Sequence, residues 1–312
     1  MNIVFMGTPE FAKVSLQKLI DSKHNILAVV TKEDKKNGRG QKIVETPVAT
    51  LAKNHNIKVL KPKTLKDTEV YNEIKELNPD ILIVVAYGKI LPKNYLNMCK
   101  YLPINVHGSL LPKYRGAAPI QWAVINGEKE TGITTMYLDE EMDTGDILLQ
   151  EKILIERKDT TKTMFEKLSS LGAELLIKTL DKIDEILPQK QKEELATYAP
   201  LIEKQIQNIN WNDNTEKIFN LVRGLNDFLI AKTKINNTNF KIYEVEILTF
   251  EEFSNIIDKN IQEILKDDIK TYYIHNRRLF IKAKDGIIEV IILQPENKKR
   301  MYTKDYLLGN MP

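Results

Sequence analysis

The sequence predicts an α/β chain in two parts, a doubly wound sheet domain followed by a smaller β-rich domain. In the first half, short β-branched runs alternate with amphipathic segments, which is typical of a mostly parallel sheet covered by helices. The run from Asp80 to Ala86 is almost entirely apolar, as a central parallel strand should be. After Leu187 the pattern changes to short alternating strands, which favours a small barrel or sandwich.

The first elements are predicted as a strand, a turn and a helix. Ile3 to Met6 should form a buried strand that ends at Gly7, with Thr8 as the helix N-cap and Pro9 as the first helical residue. The helix would bury Phe11, Val14, Leu16, Leu19 and Ile20, and further strands are expected at 26–30, 57–60, 104–107 and 133–138.

The second part begins after a polar segment. Residues 189–194 carry no apolar face and are predicted to belong to a linker. Beyond it we expect a helix at 215–225 and strands at 240–246, 278–283 and 287–293.

Composition limits the class of protein. At 312 residues the chain is long enough for two domains. The 46 basic and 43 acidic residues nearly cancel, so net charge neither indicates nor excludes nucleic-acid binding. A single cysteine excludes an internal disulfide framework, and no apolar run approaches the roughly 20 residues of a membrane-spanning helix. We therefore expect a soluble cytoplasmic protein.

The chemistry is expected at the end of the predicted strand 104–107. Residues two apart on a strand share a face, so Asn105 and His107 should point the same way, at the edge where open α/β sheets bind ligands. An amide donor beside an imidazole suits oxyanion stabilisation combined with proton transfer. The acidic loop 139–146 could bring a carboxylate next to His107 and hold its tautomer.

Other interpretations of these residues remain open. A histidine at a strand end is often structural, and the acidic loop could be a solvated turn, although it lacks the ligand spacing of a calcium loop. Gly7-Thr8-Pro9 is a weak candidate for a phosphate loop, since neither known glycine pattern is present. No cysteine and histidine cluster has zinc spacing, so no metal is expected.

Several segments together resemble the folate-dependent formyltransferases. These are NVHGSLLPKYRG and MDTGDIL around the predicted site, FMGTPEFA at the start, and GRGQKIVETPVATLA, VVAYGKILP and LQPENKKRMYTKDYL elsewhere. The similarity extends from Met1 to about Gly309 and is greatest to the members that act on methionyl-tRNA. It implies a Rossmann-like catalytic domain at 1–189, a linker at 190–206 and an OB-like β-barrel that binds tRNA at 207–312.

The resemblance also implies the site residues and the formyl donor. Asn105, His107 and Asp143 would be catalytic, with 10-formyltetrahydrofolate as co-substrate and no tightly bound cofactor. The residues expected to contact folate are Ser109, Leu110, Leu111, Pro112, Tyr87, Gly88, Ile90, Leu91 and Asp139.

The partner implied by the resemblance is the methionine-charged initiator tRNA. The segment 31–42 is rich in basic residues and glycine, and Arg39 is expected to make the main contact. Further contacts are predicted for Lys35, Lys36, Lys42, Lys298, Lys299 and Arg300. Residues 224–231 lack the proline and tryptophan usual in the family, so either the docking of the C-terminal domain or its contact with RNA could differ from the family's. The chain is expected to act as a monomer that does not bind a membrane.

Three functional hypotheses follow from the sequence. The first is formyl transfer to methionyl-tRNA, which the length and the basic segment favour. The second is a formyltransferase on a small amine, or a formyltetrahydrofolate hydrolase, which would need neither feature. The third is a non-catalytic nucleotide- or RNA-binding module in which Asn105 and His107 are structural.

Overall fold

The computed structural model describes residues 1–37 and 42–309, and of residues 35–37 and 42 it describes the backbone only. Compactness divides the chain into two units. The first comprises Met1–Pro119, Glu130–Leu154 and Phe165–Pro200, and the second Ile120–Lys129, Ile155–Met164 and Leu201–Pro312. Two short segments that precede residue 165 thus belong to the second unit, and the sequence-based boundaries at 189 and 206 stay a prediction.

A seven-stranded sheet forms the centre of the first unit. The strands of this half of the chain are β1 (Asn2–Gly7), β2 (Asn25–Val30), β3 (Lys35–Asn37), β4 (Lys42–Val44), β5 (Lys58–Leu60), β6 (Ile81–Val85), β7 (Ile104–His107), β8 (Glu130–Tyr137) and β9 (Ile147–Leu154). The sheet order is β5-β2-β1-β6-β7-β8-β9, with β3 and β4 forming a separate hairpin. The first five strands in that order are parallel, and β8 and β9 are antiparallel. The predicted parallel-rich α/β domain is confirmed.

Helices lie between several of these strands, and one follows the last of them. They are α1 (Glu10–Ile20), α2 (Pro47–Asn54), α3 (Thr68–Glu76), α4 (Lys93–Leu96), α5 (Pro119–Ile125) and α6 (Thr161–Asp181). Every residue of β6 is buried, as its apolar run predicts. A core cluster next to it includes Val4, Val84, Tyr87 and Tyr95, so the sheet continues into a packed layer beneath the loop after β6.

The start of α1 differs from the sequence prediction. Pro9 is the N-cap, in an extended conformation, and the helix begins at Glu10. The Thr8 hydroxyl does not cap the helix; it donates a hydrogen bond to the Tyr87 carbonyl oxygen at 3.3 Å. The predicted N-cap role of Thr8 is therefore wrong, because this hydroxyl joins the end of β1 to the loop after β6 instead.

An antiparallel sheet forms most of the second unit. The helices of this unit are α7 (Thr215–Leu225), α8 (Phe250–Ile257), α9 (Ile261–Lys266) and α10 (Thr303–Gly309). Its strands are β10 (Ala231–Ile235), β11 (Thr238–Leu248), β12 (Tyr272–His275), β13 (Arg278–Lys282), β14 (Ile287–Pro295) and β15 (Met301–Tyr302). The order is β10-β11-β14-β13-β12, with β15 on β14. The predicted helix and strands are confirmed, and closure into a barrel stays a prediction. None of the helices in the described ranges is long and apolar enough to cross a membrane.

Candidate active site

The candidate site lies where three neighbouring parallel strands end. In the sheet, β1, β6 and β7 are adjacent, and their carboxyl ends are Gly7, Val85 and His107. Ligands of open α/β sheets bind outside this edge, because the loops that follow the strands leave a crevice there.

Asn105 and His107 point to one face of β7, as the alternation predicts. The opposite face holds Val106, which packs on α6 so closely that a Cβ added to Gly172 would lie 3.1 Å from Val106 Cγ1. His107 is 5% exposed, whereas Asn105 is only half-buried. Within residues 1–37 and 42–309, the Asn105 side chain makes no hydrogen bond, so its amide is available to a ligand.

Both ring nitrogens of His107 face oxygen atoms. Nε2 lies 2.9 Å from the Tyr114 carbonyl oxygen, and Nδ1 lies 3.6 Å from Asp143 Oδ1. Because a carbonyl oxygen can only accept, we assign the hydrogen to Nε2. Nδ1 then faces the carboxylate of Asp143, at a separation slightly longer than a hydrogen bond.

Hydrogen bonds hold both the carboxylate of Asp143 and the backbone around it. Its φ is +58°, a conformation that costs a residue other than glycine about 1 kcal/mol or more. Oδ2 accepts a hydrogen bond from the Gly116 amide at 2.8 Å. The Gln191 side-chain amide donates to the carbonyl oxygens of Asp143 and Gly145 at 2.9 and 2.8 Å. The surrounding contacts therefore fix the carboxylate beside His107.

Arg115 lies behind this loop and is 2% exposed. Its Nε donates to Gln191 Oε1 at 3.1 Å, and its Nη1 lies 2.9 Å from the Glu193 carboxylate. Its backbone pairs with Thr197 and Ala199 at 2.8 and 2.7 Å. The segment that the sequence predicts as a linker therefore also forms the support of the Asp143 loop.

Gln191 and Arg115 are the site residues that sequence reasoning missed. Arg115 stands inside the quoted motif, but nothing in the pattern marks it as buried. Gln191 stands in a polar run with no periodicity, and no local signal could have found it. Its role depends on contacts 46 and 48 residues away in sequence.

The predicted folate-contacting turn is pinned to β8. The Ser109 hydroxyl is fully buried and donates to the Lys113 carbonyl oxygen at 2.6 Å. Thr134 Oγ1 donates to the Ser109 carbonyl oxygen at 2.7 Å and accepts from the Leu111 amide at 3.1 Å. Leu111 is 3% exposed, while Leu110 and Pro112 are half-buried. A folate contact by these four residues stays a prediction.

The loop after β6 separates into anchors and exposed residues. Tyr87 and Leu91 lie in the core, and burial raises the pKa of Tyr87 to about 12. Gly88 and Ile90 are exposed, Ile90 by 71%. The Asp139 carboxylate accepts from the Thr144 hydroxyl at 2.8 Å within its own loop. Folate contacts at these positions stay predictions.

The basic segment is partly described. Lys35 pairs with Val44 and Lys36 with Ile43 in the β3–β4 hairpin. Arg39 lies outside the described residues, and so do the side chains of Lys35, Lys36 and Lys42. Their predicted tRNA contacts remain predictions.

The predicted basic residues of the second unit are exposed. Lys298, Lys299 and Arg300 follow β14. The Arg300 guanidinium stacks 4.3 Å from the Tyr243 ring centre and lies 3.5 Å from Asp227 Oδ1.

A groove on the C-terminal sheet carries further lysines that the sequence analysis did not single out. It encloses about 610 Å³ and is lined by Asn208, Ile209, Lys232, Thr233, Lys234, Asn239, Phe240, Lys241, Lys270, Gln294, Pro295, Glu296 and Asn297. Lys232 and Lys241 oppose one another directly across β10 and β11, which is unfavourable for like charges. Glu296 is the one acidic residue of this described lining, and it accepts from Asn239 Nδ2 at 2.9 Å. The alternation Lys232-Thr233-Lys234 was the available signal.

No group of three or more histidine, cysteine, aspartate or glutamate residues suited to a metal ion occurs in the part of the chain that the structure describes. The expectation that the reaction needs no metal stays a prediction.

Two family models together match most of the chain. Residues 1–180 match the family model described as formyl transferase, and residues 201–311 match the formyl transferase C-terminal domain. Methionyl-tRNA formyltransferase of Caldanaerobacter subterraneus subsp. tengcongensis is 45% identical over 100% of this chain and 98% of its own. That of Clostridium tetani is 45% identical over 99% and 97%.

Solved structures share the fold at low identity. Methionyl-tRNA formyltransferase from Clostridium thermocellum has a TM-score of 0.56 at 21% identity, covering 80% of this chain and 94% of its own. The sugar 3N-formyl transferase WlaRD, determined with dTDP and 5-N-formyl-THF, has a TM-score of 0.68 at 20% identity, covering 96% and 99%.

Proposed function

The chain belongs to the methionyl-tRNA formyltransferases, which move a formyl group from 10-formyltetrahydrofolate to the α-amine of methionyl-tRNA, and we propose that Asn105, His107 and Asp143 carry out this transfer. The protein is thus an enzyme that consumes the folate derivative as a co-substrate. The initiator tRNA is the acceptor in this proposal.

The observation that supports the division of roles is the difference between two side chains on one face of β7. His107 is engaged through both ring nitrogens, whereas the half-buried Asn105 amide makes no hydrogen bond among the described residues. Asn105 is therefore the donor for the formyl oxygen as negative charge develops on it.

The proton is assigned to the His107–Asp143 pair. An α-amine titrates at about pH 7.7–8.0, so a weak base suffices to free it for attack on the formyl carbon. The amine nitrogen forms the new C–N bond and releases a proton to the pair. As the bond to folate N10 breaks, the pair returns a proton to that nitrogen. Protonated Nδ1 would face Asp143 Oδ1, now 3.6 Å away, so proton uptake turns an unfavourable contact into an attractive one.

Binding of tRNA is assigned to the basic surfaces. The β3–β4 hairpin, the run Lys298–Arg300 and the lysine groove of the C-terminal sheet supply cations for phosphates. The groove supports this proposal because its lining contains four lysines and a single acidic residue among the residues described. The logarithm of the association constant for tRNA is expected to fall linearly with the logarithm of salt concentration, because counterions are released on binding.

Formation of formyl-methionyl-tRNA tests the proposal directly. The purified protein is mixed with 10-formyltetrahydrofolate and methionine-charged initiator tRNA, in the native form and as Asn105→Ala. The variant should lose roughly 10²- to 10³-fold in kcat, the usual cost of removing one oxyanion donor. Asn54→Ala is the matched control, since Asn54 is an exposed residue at the end of α2.

The outcomes separate the roles. Native turnover with an Asn105→Ala rate within threefold of it would refute the oxyanion role and keep the function. Consumption of folate without formyl-tRNA would favour transfer to a small amine, or hydrolysis. The absence of any turnover by folded native protein would overturn the catalytic proposal.

Oligomeric state and location are also proposals. A cytoplasmic monomer without membrane contact is expected, and light scattering with cell fractionation tests it.

A further inference from the structure

The β3–β4 hairpin lies in the segment between β2 and α2, and a hydrogen bond joins the two ends of this segment. The chain leaves β2 at Thr31 and enters α2 at Thr46, and these two hydroxyl groups lie 2.9 Å apart in a buried position. Thr46 Oγ1 also accepts from the Ala49 amide at 3.1 Å, which ties it to the first turn of α2. The segment therefore starts and ends at one buried point.

A lysine from elsewhere in the chain forms a second tie closer to the hairpin. Lys61 Nζ lies 2.7 and 2.8 Å from the two carboxylate oxygens of Asp34 and 3.2 Å from Glu45 Oε1. Asp34 immediately precedes β3, and Glu45 immediately follows β4. Lys61 thus joins the two strands of the hairpin at its base, and its side chain is only 22% exposed.

Charge explains why the tie needs a cation. Asp34 and Glu45 both lie within 3.2 Å of one ammonium nitrogen, so without it two carboxylates would repel one another across the base of the hairpin. Hydrogen bonds from Lys53 and Lys61 lower the pKa of Glu45 below its ordinary value, so its carboxylate stays charged into more acidic solution. Burial acts to lower the pKa of Lys61, but its bonds to Asp34 and Glu45 raise it overall.

The backbone that carries Lys61 is itself anchored to the candidate site. Lys89, in the loop after β6, donates to the carbonyl oxygens of Pro62 and Lys63 at 2.8 and 2.7 Å. The Lys32 ammonium lies against Gly88 in the same loop, where an added Cβ would collide with it. The base of the hairpin is therefore connected to the loop after β6 through the hydrogen bonds of Lys89 and the contact of Lys32 with Gly88.

We propose that Lys61 is a positioning residue for formylation, which holds the basic β3–β4 hairpin where it meets the aminoacyl-tRNA by joining Asp34 to Glu45. The inference rests on the proposed tRNA contact of the hairpin. Lys61 acts through the hairpin and touches neither the formyl group nor the amine.

The test compares three variants in the complete enzyme. Lys61→Met removes the charge at similar length, Lys61→Arg retains it, and Lys63→Met removes a nearby exposed charge that has no recorded partner among the described residues. For each, kcat and KM are measured separately for methionyl-tRNA and for 10-formyltetrahydrofolate, together with Tm.

Lys61→Met is expected to raise KM for methionyl-tRNA by about 10-fold, the effect of losing one or two charge-assisted hydrogen bonds, with KM for folate within twofold of native. Lys61→Arg should restore most of the loss, and Lys63→Met should behave as native. Glu45→Ala removes the acceptor on the other side of the same contact and should also raise KM for tRNA, which keeps the test informative if Lys61→Met does not fold.

Equal KM values for tRNA in Lys61→Met and Lys63→Met would overturn the inference. A similar rise in KM for methionyl-tRNA and for 10-formyltetrahydrofolate, together with a lower Tm, would also overturn it. Both results leave formylation by the native enzyme intact, so they differ from failure of the proposed function. If the proposed function itself failed, the native protein would form no formyl-methionyl-tRNA.

Discussion

Replacing Asp143 with asparagine removes the charge beside His107 and keeps the shape of the side chain. The remaining carbonyl oxygen can still accept the 2.8 Å hydrogen bond from the Gly116 amide, so the loop should keep its conformation. What changes is the electrostatic partner of His107 when its Nδ1 takes a proton.

The size of the effect follows from the distance. Two unit charges separated by the 3.6 Å between Nδ1 and Oδ1 interact by about 4–5 kcal/mol at an effective dielectric constant near 20. The Asp143 side chain is 12% exposed, and some of this attraction is therefore screened. Taking about 3 kcal/mol as the part realised in the transition state, kcat should fall by ~10²-fold.

Single-turnover formylation of methionyl-tRNA measures this loss, with thermal unfolding as the check on folding. Asp146→Asn is the matched control, because Asp146 stands in the same loop and its carboxylate has no recorded hydrogen bond among the described residues. If Asp143→Asn retains kcat within threefold of native and unfolds at the same temperature, the carboxylate takes no part in proton transfer and the reasoning fails.

Two further predictions concern charge. The double substitution Lys234→Glu and Lys241→Glu in the groove should raise KM for methionyl-tRNA at least 10-fold and lower its salt dependence by roughly 1–2 in slope. Lys284→Glu, exposed in the same unit, should not, and equal effects would refute the groove as an RNA contact. Burial, and then the charged amino group of Met1, lower the pKa of His24 from 6.5, so the folded state resists its protonation. The contribution of neutral His24 to the free energy of unfolding should be fully present above pH 6.5. It should be lost as the pH drops towards the lowered pKa, because the unfolded chain binds the proton first. Urea midpoints at pH 7.5 and 5.5 should differ more in the native protein than in His24→Gln, and an unchanged difference would contradict this.

Local pattern was enough for much of the fold. The apolar run at 81–85 became a fully buried strand, and the amphipathic segment 215–225 became a helix with the predicted bounds. The shared face of Asn105 and His107 followed from strand alternation alone. Side-chain periodicity is a property of neighbouring residues, so it can be deduced from the sequence.

Tertiary structure decided what those residues contact. Asp143 reaches His107 across 36 positions of sequence only because β7 and β8 are neighbours in the sheet and a loop after β8 returns to their edge. Gln191 supports Asp143 from a segment with no periodic signal, and Lys61 meets Asp34 and Glu45 because β5 lies beside β2. Thr8 illustrates the same limit, since its hydroxyl bonds to Tyr87, 79 residues away, rather than to its own helix. These contacts join distant parts of the chain, and they depend on strand order and loop path, which no local pattern contains.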